Sequence, residues 1–210
     1  MDRVHDSSQS ISRLVLASSS PRRKELVASL NHSLPVCIFS TDVDEWVESG
    51  WTPIEVVENL SLRKARAAAE KLQEQNGQPG ASLIIGADTI VVLDGEILGK
   101  PANAGHAKAM LSSLQGRVHE VYTGVALIST GDGAESVAHR MTRVQMKPLS
   151  DEQIERYIAT GEPNDKAGAY GIQGLGSTIV ERIDGCYFNV VGLPLALLSD
   201  MLARYDVHVF

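Results

Sequence analysis

The sequence predicts an α/β fold, and three observations point to it. Short apolar runs typical of buried strands alternate with stretches of helical periodicity along the whole chain. With 43% hydrophobic and 21% charged residues, the 210-residue chain has an ordinary globular composition and enough length to bury a core. No Pro/Ser-rich linker, repeat or low-complexity tract divides it. We predict a flexible polar tail over residues 1–12 and a single domain over 13–210, either as one body or as two lobes around a cleft.

The first strand and helix are marked by clear signals. An apolar run predicts a buried strand over Arg13–Ala17. Ser20 as N-cap and Pro21 as the first helical residue then begin a helix that ends at Leu30. A second, weaker strand follows at Val36–Ser40.

The middle of the chain predicts a long helix and a hairpin. Helical periodicity covers Pro53–Gln75, and the turn formers Asn76-Gly77 end it. A β-branched run over Leu83–Leu93 predicts strand structure, interrupted by Asp88 and Thr89. Asp94-Gly95 is a hairpin turn signal that returns the chain as a short strand, Glu96–Leu98.

The last half continues the alternation of helices and strands. A helix follows Pro101, two strands flank a turn at residues 130–133, and the capping box of Ser150 and Gln153 begins another helix. A stretch with five glycines in sixteen residues shows no periodicity. The predicted elements are, in order, helix Ala102–Leu114, strands Val121–Ser129 and Glu135–Lys147, helix Ser150–Thr160, the irregular stretch Gly161–Gly176, a hairpin over Asp184-Gly185 and helix Pro194–Arg204.

Charge and cysteine content restrict the class of protein. The chain has 26 acidic and 19 basic residues, a net charge of −7, which disfavours binding to a nucleic-acid polymer. An anionic ligand must therefore meet a local basic pocket, which favours a small phosphate compound. Cys37 and Cys186 form no disulfide framework or metal-site spacing, and no apolar run reaches the ~20 residues of a membrane span. We expect a cytoplasmic protein that does not bind membranes.

A cluster of cations lies at the start of the first predicted helix. Ser18 and Ser20 precede or cap it, and Arg22, Arg23 and Lys24 fall in its first turn. Free N–H groups at a helix start attract anions, whereas cations there oppose the helix dipole, so the arrangement favours a bound anion. Either this segment binds phosphate or its cations are solvated charge on a well-capped helix.

Acidic residues supply candidates for a base and for a metal site. Because an isolated buried carboxylate is costly, Asp88 in its apolar run is either a base or metal ligand held by partners, or a structural residue that caps a turn. Asp42, Asp44 and Glu45 follow a predicted strand and could join Asp88 as oxygen ligands for Mg²⁺ or Mn²⁺. The alternative is a solvated acidic loop.

Two glycine-containing segments are further candidates. Gly95–Pro101 superficially resembles a phosphate-binding P-loop but has three residues between its glycines instead of four, so we reject that interpretation. Lys100 remains either a phosphate contact or plain loop surface. In Gly161–Gly176, Lys166 and Gln173 are set among glycines that allow the backbone to wrap around a ligand. Its length and embedded apolar residues favour an ordered functional loop over a mobile linker.

Four segments in matching order carry a resemblance to a known family. They are Ser18–Arg23 (SSSPRR), Gly86–Thr89 (GADT), Gly99–Pro101 (GKP) and Asp165–Gly174 (DKAGAYGIQG). From about Leu14 to Leu202 the chain resembles the Maf (septum formation) nucleotide pyrophosphatases. The resemblance implies an inosine-triphosphatase-like α/β fold, with an elongated mixed sheet flanked by helices, two lobes around a central cleft that holds the active site, and a homodimer.

The resemblance also implies a role for each matching residue. Asp88 looks like the general base and, with Glu45, like a ligand of a divalent cation, Mg²⁺ or Mn²⁺. Arg22, Thr89 and Gln173 match the residues that set base choice in the subgroup acting on dTTP and UTP. The subgroup preferring 7-methyl-GTP typically carries tryptophan at the Arg22 position. The remaining phosphate contacts are, by position, Ser18, Ser20, Arg23, Lys64, Lys100 and Lys166.

These expectations fit one reaction. Water attacks the α-phosphorus of dTTP, UTP or a modified pyrimidine nucleotide and releases the nucleoside monophosphate and pyrophosphate. The family implies a house-cleaning role in the nucleotide pool and a link to cell-division arrest. The alternative is a nucleotide-sensing regulator of cell division without turnover, which needs no base beside a metal site. A nucleotidyl transferase, the third option, would need an acceptor nucleophile.

Overall fold

The computed structural model describes residues 10–30, 33–40, 43–74 and 80–210. Predictions for residues 1–9 of the tail, for Asp42 and for the helix end at 75–77 lie outside these ranges. The strands are β1 (Ile11–Ala17), β2 (Val36–Ile38), β3 (Ala81–Leu93), β4 (Glu96–Leu98), β5 (Val118–Ser129), β6 (Glu135–Met146) and β7 (Val180–Asp184). The helices are α1 (Pro21–Ser29), α2 (Pro53–Glu74), α3 (Ala104–Leu114), α4 (Asp151–Ala159), α5 (Tyr187–Val191) and α6 (Leu195–Ala203).

The strands form one seven-stranded mixed sheet. Its order is β2-β1-β3-β5-β6-β7, and β4 pairs with β3 off this path. The pairs β1/β2 and β1/β3 are parallel, whereas β3 pairs with β4 and β5, β5 with β6 and β6 with β7 in antiparallel fashion. Helices pack on the sheet, so the predicted α/β class with an elongated mixed sheet is confirmed.

One edge of β3 is left open in the middle of the sheet. β1 pairs with β3 as far as Gly86, and β4 begins to pair on the same side only at Val91. Residues 87–90 therefore have no partner strand on that side among the described strands, while β5 pairs with them on the other side. Side chains of neighbouring residues point to opposite faces of a strand. Where β3 has no neighbouring strand on one side, side chains from both of its faces can reach the space beside its edge.

Two apolar cores lie on one face of the sheet, on either side of this gap. One contains Leu83 and Ile85 of β3 and packs under α1 and α6. The other contains Val91 and Leu93 of the same strand and packs under α3 and α4. Because all four are odd-numbered positions of one continuous strand, the two cores share a face. They correspond to the predicted lobes.

Helix α2 covers the opposite face at very short range. A Cβ atom added at Gly86 of β3 would lie 2.2 Å from the carbonyl oxygen of Ser61, and one added at Gly124 of β5 would lie 2.2 Å from that of Val57. Only glycine allows this approach of helix backbone to strand backbone. The two glycines therefore set the depth at which α2 sits on the sheet.

Several element predictions need correction. Strand β1 begins at Ile11, inside the predicted tail, because Ile11 already pairs with Ala81. The hairpin predicted over Asp184-Gly185 is wrong: Gly185 (φ +134°) leads from β7 into helix α5 instead. Asn189 holds that helix in place with hydrogen bonds to β5 and β6. These long-range contacts cannot be predicted from the local sequence pattern. Asp88 does not interrupt its strand, which runs through it without a break.

Within the described residues, no helix combines the length and apolarity that a bilayer crossing requires.

Candidate active site

The gap beside β3 opens into a cleft with a volume of about 450 Å³. The end of β1 and the start of α1 form one wall, β4 and the loop after it form another, and the glycine-rich segment closes a third side. The cleft is lined by all of the residues to which the family resemblance assigns a role: Ser18, Ser20, Arg22, Arg23, Glu45, Lys64, Asp88, Thr89, Lys100, Lys166 and Gln173. Lys24 and Asp44, candidates from the cation cluster and the acidic stretch, are not among its lining residues. Asp88 and Thr89 both reach the cleft, although adjacent strand residues face opposite ways, because the strand edge is open there.

The start of α1 is built as predicted. Ser20 is the N-cap, its hydroxyl accepts a hydrogen bond from the N–H of Arg23, and Pro21 occupies the first turn. The hydroxyl of Ser18 accepts one from the N–H of Ser20, which tightens the turn between β1 and the helix. The short β1–α1 connection thus places the two serines and the following arginines at the cleft wall.

The guanidinium of Arg23 is held from several sides. Its Nε donates to the carbonyl oxygen of Gly192 at 2.8 Å, its Nη2 donates to Oγ1 of Thr89 at 3.0 Å, and its Nη1 lies 3.5 Å from Oγ of Ser18. Burial lowers the pKa of Arg23, and the nearby charge of Asp88 opposes that change. The group still carries its charge at neutral pH. It is a fixed cation beside the carboxylate.

Two carboxylates converge on one lysine at the base of the cleft. Nζ of Lys64 on α2 lies 2.5 Å from Oδ1 of Asp88 and 2.9 Å from Oε1 of Glu45. Burial alone would raise the pKa of Glu45, but the hydrogen bond and charge of Lys64 lower it below its usual value, with smaller contributions from Lys100 and Arg23. Asp88 is buried and so is held by a partner, which is one of the two states that the sequence left open.

The segment that carries Glu45 is attached to α2 by a second contact. The guanidinium carbon of Arg63 lies 5.7 Å from the ring centroid of Trp46 and 5.2 Å from that of Trp51. The same side chain donates a hydrogen bond to the carbonyl oxygen of Trp46. Arg63 and Lys64 are neighbours on the helix and hold neighbouring loop residues, so Glu45 is kept at the cleft from two directions.

The carboxylates of the cleft supply only part of the ligands that a divalent cation needs. In the described ranges, no three His, Cys, Asp or Glu side chains come together as a preformed metal cage. Asp88 and Glu45 nevertheless meet at one point, as their shared contact with Lys64 shows. Mg²⁺ is typically held by one or two carboxylates together with substrate phosphates and water. Two carboxylates facing a cationic cleft are compatible with that mode.

The glycine-rich segment is ordered, as predicted, and a half-buried carboxylate holds its end. Oε1 of Glu162 accepts from the N–H of Gly176 at 2.8 Å and from the hydroxyl of Tyr157 at 2.9 Å, and Oε2 accepts from the N–H of Leu175 at 2.9 Å. Burial raises the pKa of Glu162, but these donors together with the charge of Lys166 lower it below its usual value. The carboxylate therefore fixes the end of the segment that presents Lys166 and Gln173.

An ion pair joins this segment to α1 across the cleft mouth. Nη1 of Arg22 lies 3.1 Å from Oδ2 of Asp165, whose other oxygen lies 2.8 Å from Nζ of Lys166. Burial raises the pKa of Asp165, but the hydrogen bonds from Lys166 and Arg22 more than offset this and lower it. Two of the predicted ligand-binding cations thus share one exposed carboxylate, and the cluster keeps a net positive charge.

Sequence reasoning missed several residues that support the site. Thr123, Asn189 and Gly192 connect to Arg23 through hydrogen bonds, and Glu162 orders the glycine-rich segment. Thr123 carried a signal that could have been used, since it interrupts an apolar strand as Thr89 does. The others act through tertiary contacts, which spacing along the chain does not reveal.

Comparison with known proteins gives consistent matches. The family model described as "Maf-like protein" matches residues 13–205. The chain is 49% identical to the dTTP/UTP pyrophosphatase of Pelotomaculum thermopropionicum, over 93% of this chain and 98% of that protein. It is 50% identical to proteins of the same name from Moorella thermoacetica, over 95% and 98% of the two chains, and from Symbiobacterium thermophilum, over 94% and 96%. The similarity therefore extends over the whole length of these proteins and is not confined to the motifs.

Proposed function

The chain belongs to the Maf-like protein family, and we propose on that basis that it hydrolyses dTTP and UTP to the nucleoside monophosphate and pyrophosphate. One observation carries the proposal beyond similarity. A single buried carboxylate, Asp88, lies at the open edge of β3 in a cleft lined by Arg22, Arg23, Lys64, Lys100 and Lys166. In a chain of net charge −7, this local excess of cations is suited to a polyphosphate.

The proposed reaction is attack of water on the α-phosphorus. Asp88 accepts a proton from the attacking water, while the arginines and lysines hold the phosphates in line and offset the charge that develops on their oxygens. A divalent cation bound between Asp88, Glu45 and the phosphates would add a further positive charge and lower the pKa of a bound water. Lys64, which contacts both carboxylates, would be near enough to the bound phosphates to act as one of their cationic contacts.

We propose that base choice resides in Arg22, Thr89 and Gln173. The edge of thymine or uracil presents two carbonyl acceptors on either side of one N–H donor. The guanidinium of Arg22 and the amide of Gln173 supply donors for the carbonyls, and an amide or hydroxyl oxygen can accept the N–H. All three residues line the cleft.

A substrate panel tests the function directly. Pyrophosphate release is measured from dTTP, UTP, CTP, ATP and GTP with Mg²⁺ or Mn²⁺, and we expect dTTP and UTP to be turned over fastest. Asp88→Asn should lower kcat with UTP by at least ~10²-fold, the usual contribution of a positioned base. Asp94→Asn, at the exposed β3–β4 turn, is the matched control and should keep the wild-type rate.

Three results would contradict the proposal. Unchanged UTP after incubation with wild-type protein and either ion would favour the nucleotide-sensing alternative. Full activity of Asp88→Asn would remove that residue from the role of base. Release of pyrophosphate only after addition of a second substrate would indicate a nucleotidyl transferase.

Other expectations remain proposals. Excess EDTA should stop turnover if the reaction requires Mg²⁺ or Mn²⁺. The homodimer, the cytoplasmic location, the absence of binding to nucleic acid and membranes and the link to cell division rest on family resemblance and composition. Sedimentation and cell fractionation test the first two. The single domain stays a prediction, with its N-terminal bound moved to Ile11 by the extent of β1.

A further inference from the structure

A fully buried hydroxyl lies under the cleft, in the middle of the sheet. Thr123 of β5 has no solvent exposure and is paired directly with Thr89 of β3. On the same face of β5, Val121 belongs to one apolar core and Val125 to the other. Valine at position 123 would fill nearly the same volume without the cost of burying a hydroxyl. The hydroxyl therefore has a role other than filling space in the core.

The hydroxyl is the middle of a hydrogen-bond chain with a fixed direction. Thr123 donates to the carbonyl oxygen of Asn189 at 2.9 Å, which uses its only proton. The contact of 2.9 Å between the two threonine Oγ1 atoms must then be a hydrogen bond from Thr89 to Thr123. Thr89 in turn accepts from Nη2 of Arg23 at 3.0 Å. The chain thus runs from Arg23 through Thr89 and Thr123 to the backbone of α5.

The chain closes a ring around the Arg23 guanidinium. Nε of Arg23 donates directly to the carbonyl oxygen of Gly192, three residues after Asn189. One short segment of backbone therefore holds the guanidinium at two points, once directly and once through the threonines. Asn189 is itself fully buried and fixed by its side-chain amide, which donates to the carbonyl oxygen of Val121 and to Oγ1 of Thr142. Both attachment points are rigid.

We propose, on the basis of the function proposed above, that Thr123 is a positioning residue for polyphosphate binding. Acting through Thr89, it holds the guanidinium of Arg23 in one orientation at the cleft wall. Guanidinium has five N–H donors, of which the described contacts use Nε, one on Nη2 and, at long range, one on Nη1. The others are available to phosphate oxygens, and a fixed plane presents them without loss of side-chain entropy on binding.

Loss of the Thr123 hydroxyl has a defined consequence. The proton of Thr89 then has no buried acceptor, so that hydroxyl can rotate and no longer offers Arg23 a fixed oxygen. The direct bond to Gly192 remains, and the guanidinium is held at one point instead of two. Affinity for phosphate groups should therefore fall.

Direct binding of pyrophosphate tests the proposal without relying on turnover. Calorimetry on the full chain is expected to give a Kd for pyrophosphate about tenfold higher for Thr123→Val than for wild type. Thr123→Ser keeps the hydroxyl and should stay within about twofold of wild type. Thr123→Ala provides a second variant without the hydroxyl should the valine variant fail to fold, and the same rise is expected.

A matched control separates positioning from general loosening. Thr142 is equally buried and bonds to Asn189 and to the backbone of Cys186, but it is not part of the chain to Arg23. Thr142→Val should lower the thermal midpoint but raise the Kd for pyrophosphate clearly less than Thr123→Val does, because Asn189 keeps its bond to the carbonyl oxygen of Val121.

The outcomes are distinct. An unchanged Kd in both Thr123→Val and Thr123→Ala, an equal rise in Thr142→Val, or failure of Thr123→Ser to retain affinity would each overturn the positioning role. If wild type binds pyrophosphate but does not hydrolyse UTP, the proposed function fails while the role of Thr123 in anion binding can still be measured.

Discussion

Nζ of Lys64 lies 2.5 Å from Oδ1 of Asp88, and both side chains are largely buried. The pair forms between a helix and the strand beneath it, at a depth that Gly86 and Gly124 permit. Glu45 shares the same ammonium group. Without a bound ligand, the ammonium group of Lys64 thus reduces the repulsion between the two carboxylates. A divalent cation would reduce it further.

Removal of this lysine should make stability depend on metal. Lys64→Met leaves two carboxylates without their cation, and we expect a loss of about 3 kcal/mol in the free energy of unfolding. Because Mn²⁺ can replace the missing charge, millimolar MnCl₂ should restore more stability to this variant than it adds to wild type. Urea unfolding with and without the ion measures both quantities.

An exposed lysine serves as the control for that experiment. Lys108 of α3 pairs with Glu155 at the surface, and Lys108→Met should change stability by no more than about 0.5 kcal/mol and show no response to Mn²⁺ beyond that of wild type. A Lys64→Met protein as stable as wild type would show that the two carboxylates do not need a cation.

A methyl group at Gly86 should disturb both stability and activity. The new Cβ would lie 2.2 Å from the carbonyl oxygen of Ser61, so α2 must shift away from the sheet and carry Lys64 with it. We expect Gly86→Ala to cost about 3 kcal/mol and to lower kcat/KM for UTP. Gly105→Ala on α3 meets only a side-chain oxygen at 3.3 Å and should be close to neutral. Equal stability of the two variants would argue against close helix–strand contact.

Order in the glycine-rich segment should depend on the charge of Glu162. Glu162→Gln keeps the size but replaces one acceptor oxygen with an NH₂ group that faces an N–H or hydroxyl donor. Since the segment presents Lys166 and Gln173, we expect KM for UTP to rise roughly five- to tenfold with a smaller change in kcat. Steady-state kinetics measure the split. Glu155→Gln, on the exposed face of α4, should leave both constants unchanged, and an unchanged KM in Glu162→Gln would show that the carboxylate does not order the segment.

His119 should make stability fall with acidification. Burial lowers its pKa from 6.5 to about 4, and its Nε2 lies 2.6 Å from the hydroxyl of Tyr170, a cleft residue. The unfolded chain binds a proton near pH 6.5 but the native state only near pH 4. The contribution is therefore fully present above pH 6.5 and is lost between pH 6.5 and 4, by about 3 kcal/mol in total.

Substitution isolates this contribution from other titrating groups. His119→Gln has no titrating ring, so its free energy of unfolding, measured in urea between pH 4 and pH 8, should fall less steeply than that of wild type. The exposed His106→Gln serves as the control and should follow wild type. Identical slopes for wild type and His119→Gln would mean that His119 is protonated in the native state.

Some of the cleft residues could be predicted from the sequence because their chemistry conflicts with their surroundings, whereas Lys64 was identified only through the family resemblance. Asp88 stands out in an apolar strand, and Arg22 and Arg23 stand out at a helix start where cations are unfavourable. Such conflicts between a residue and its local pattern are visible along the chain and point to a partner elsewhere. The order of strands and helices could be predicted separately, from the hydrophobic periodicity along the chain.

Other features depended on contacts that periodicity cannot express. Asn189 turns the segment after β7 into a helix by bonding to two distant strands, so the hairpin expected from Asp184-Gly185 did not form. The open edge of β3 depends on where β1 and β4 stop relative to a third strand. In the sequence, Thr123 is one polar residue in a strand. Its place in a hydrogen-bond chain is apparent only from the positions of Thr89 and Arg23 in the structure.

The interruption in strand pairing at residues 87–90 also determines how ligand recognition could change without refolding the protein. Two more paired residues at the end of β1 would narrow the opening, whereas a shorter β4 would widen it. A shorter β4 would also remove contacts between Leu98 and one of the two cores, whereas an extension of β1 would leave the existing contacts of both cores in place. The end of β1 is therefore the place where the width of the opening can be engineered at the lowest cost in thermal stability.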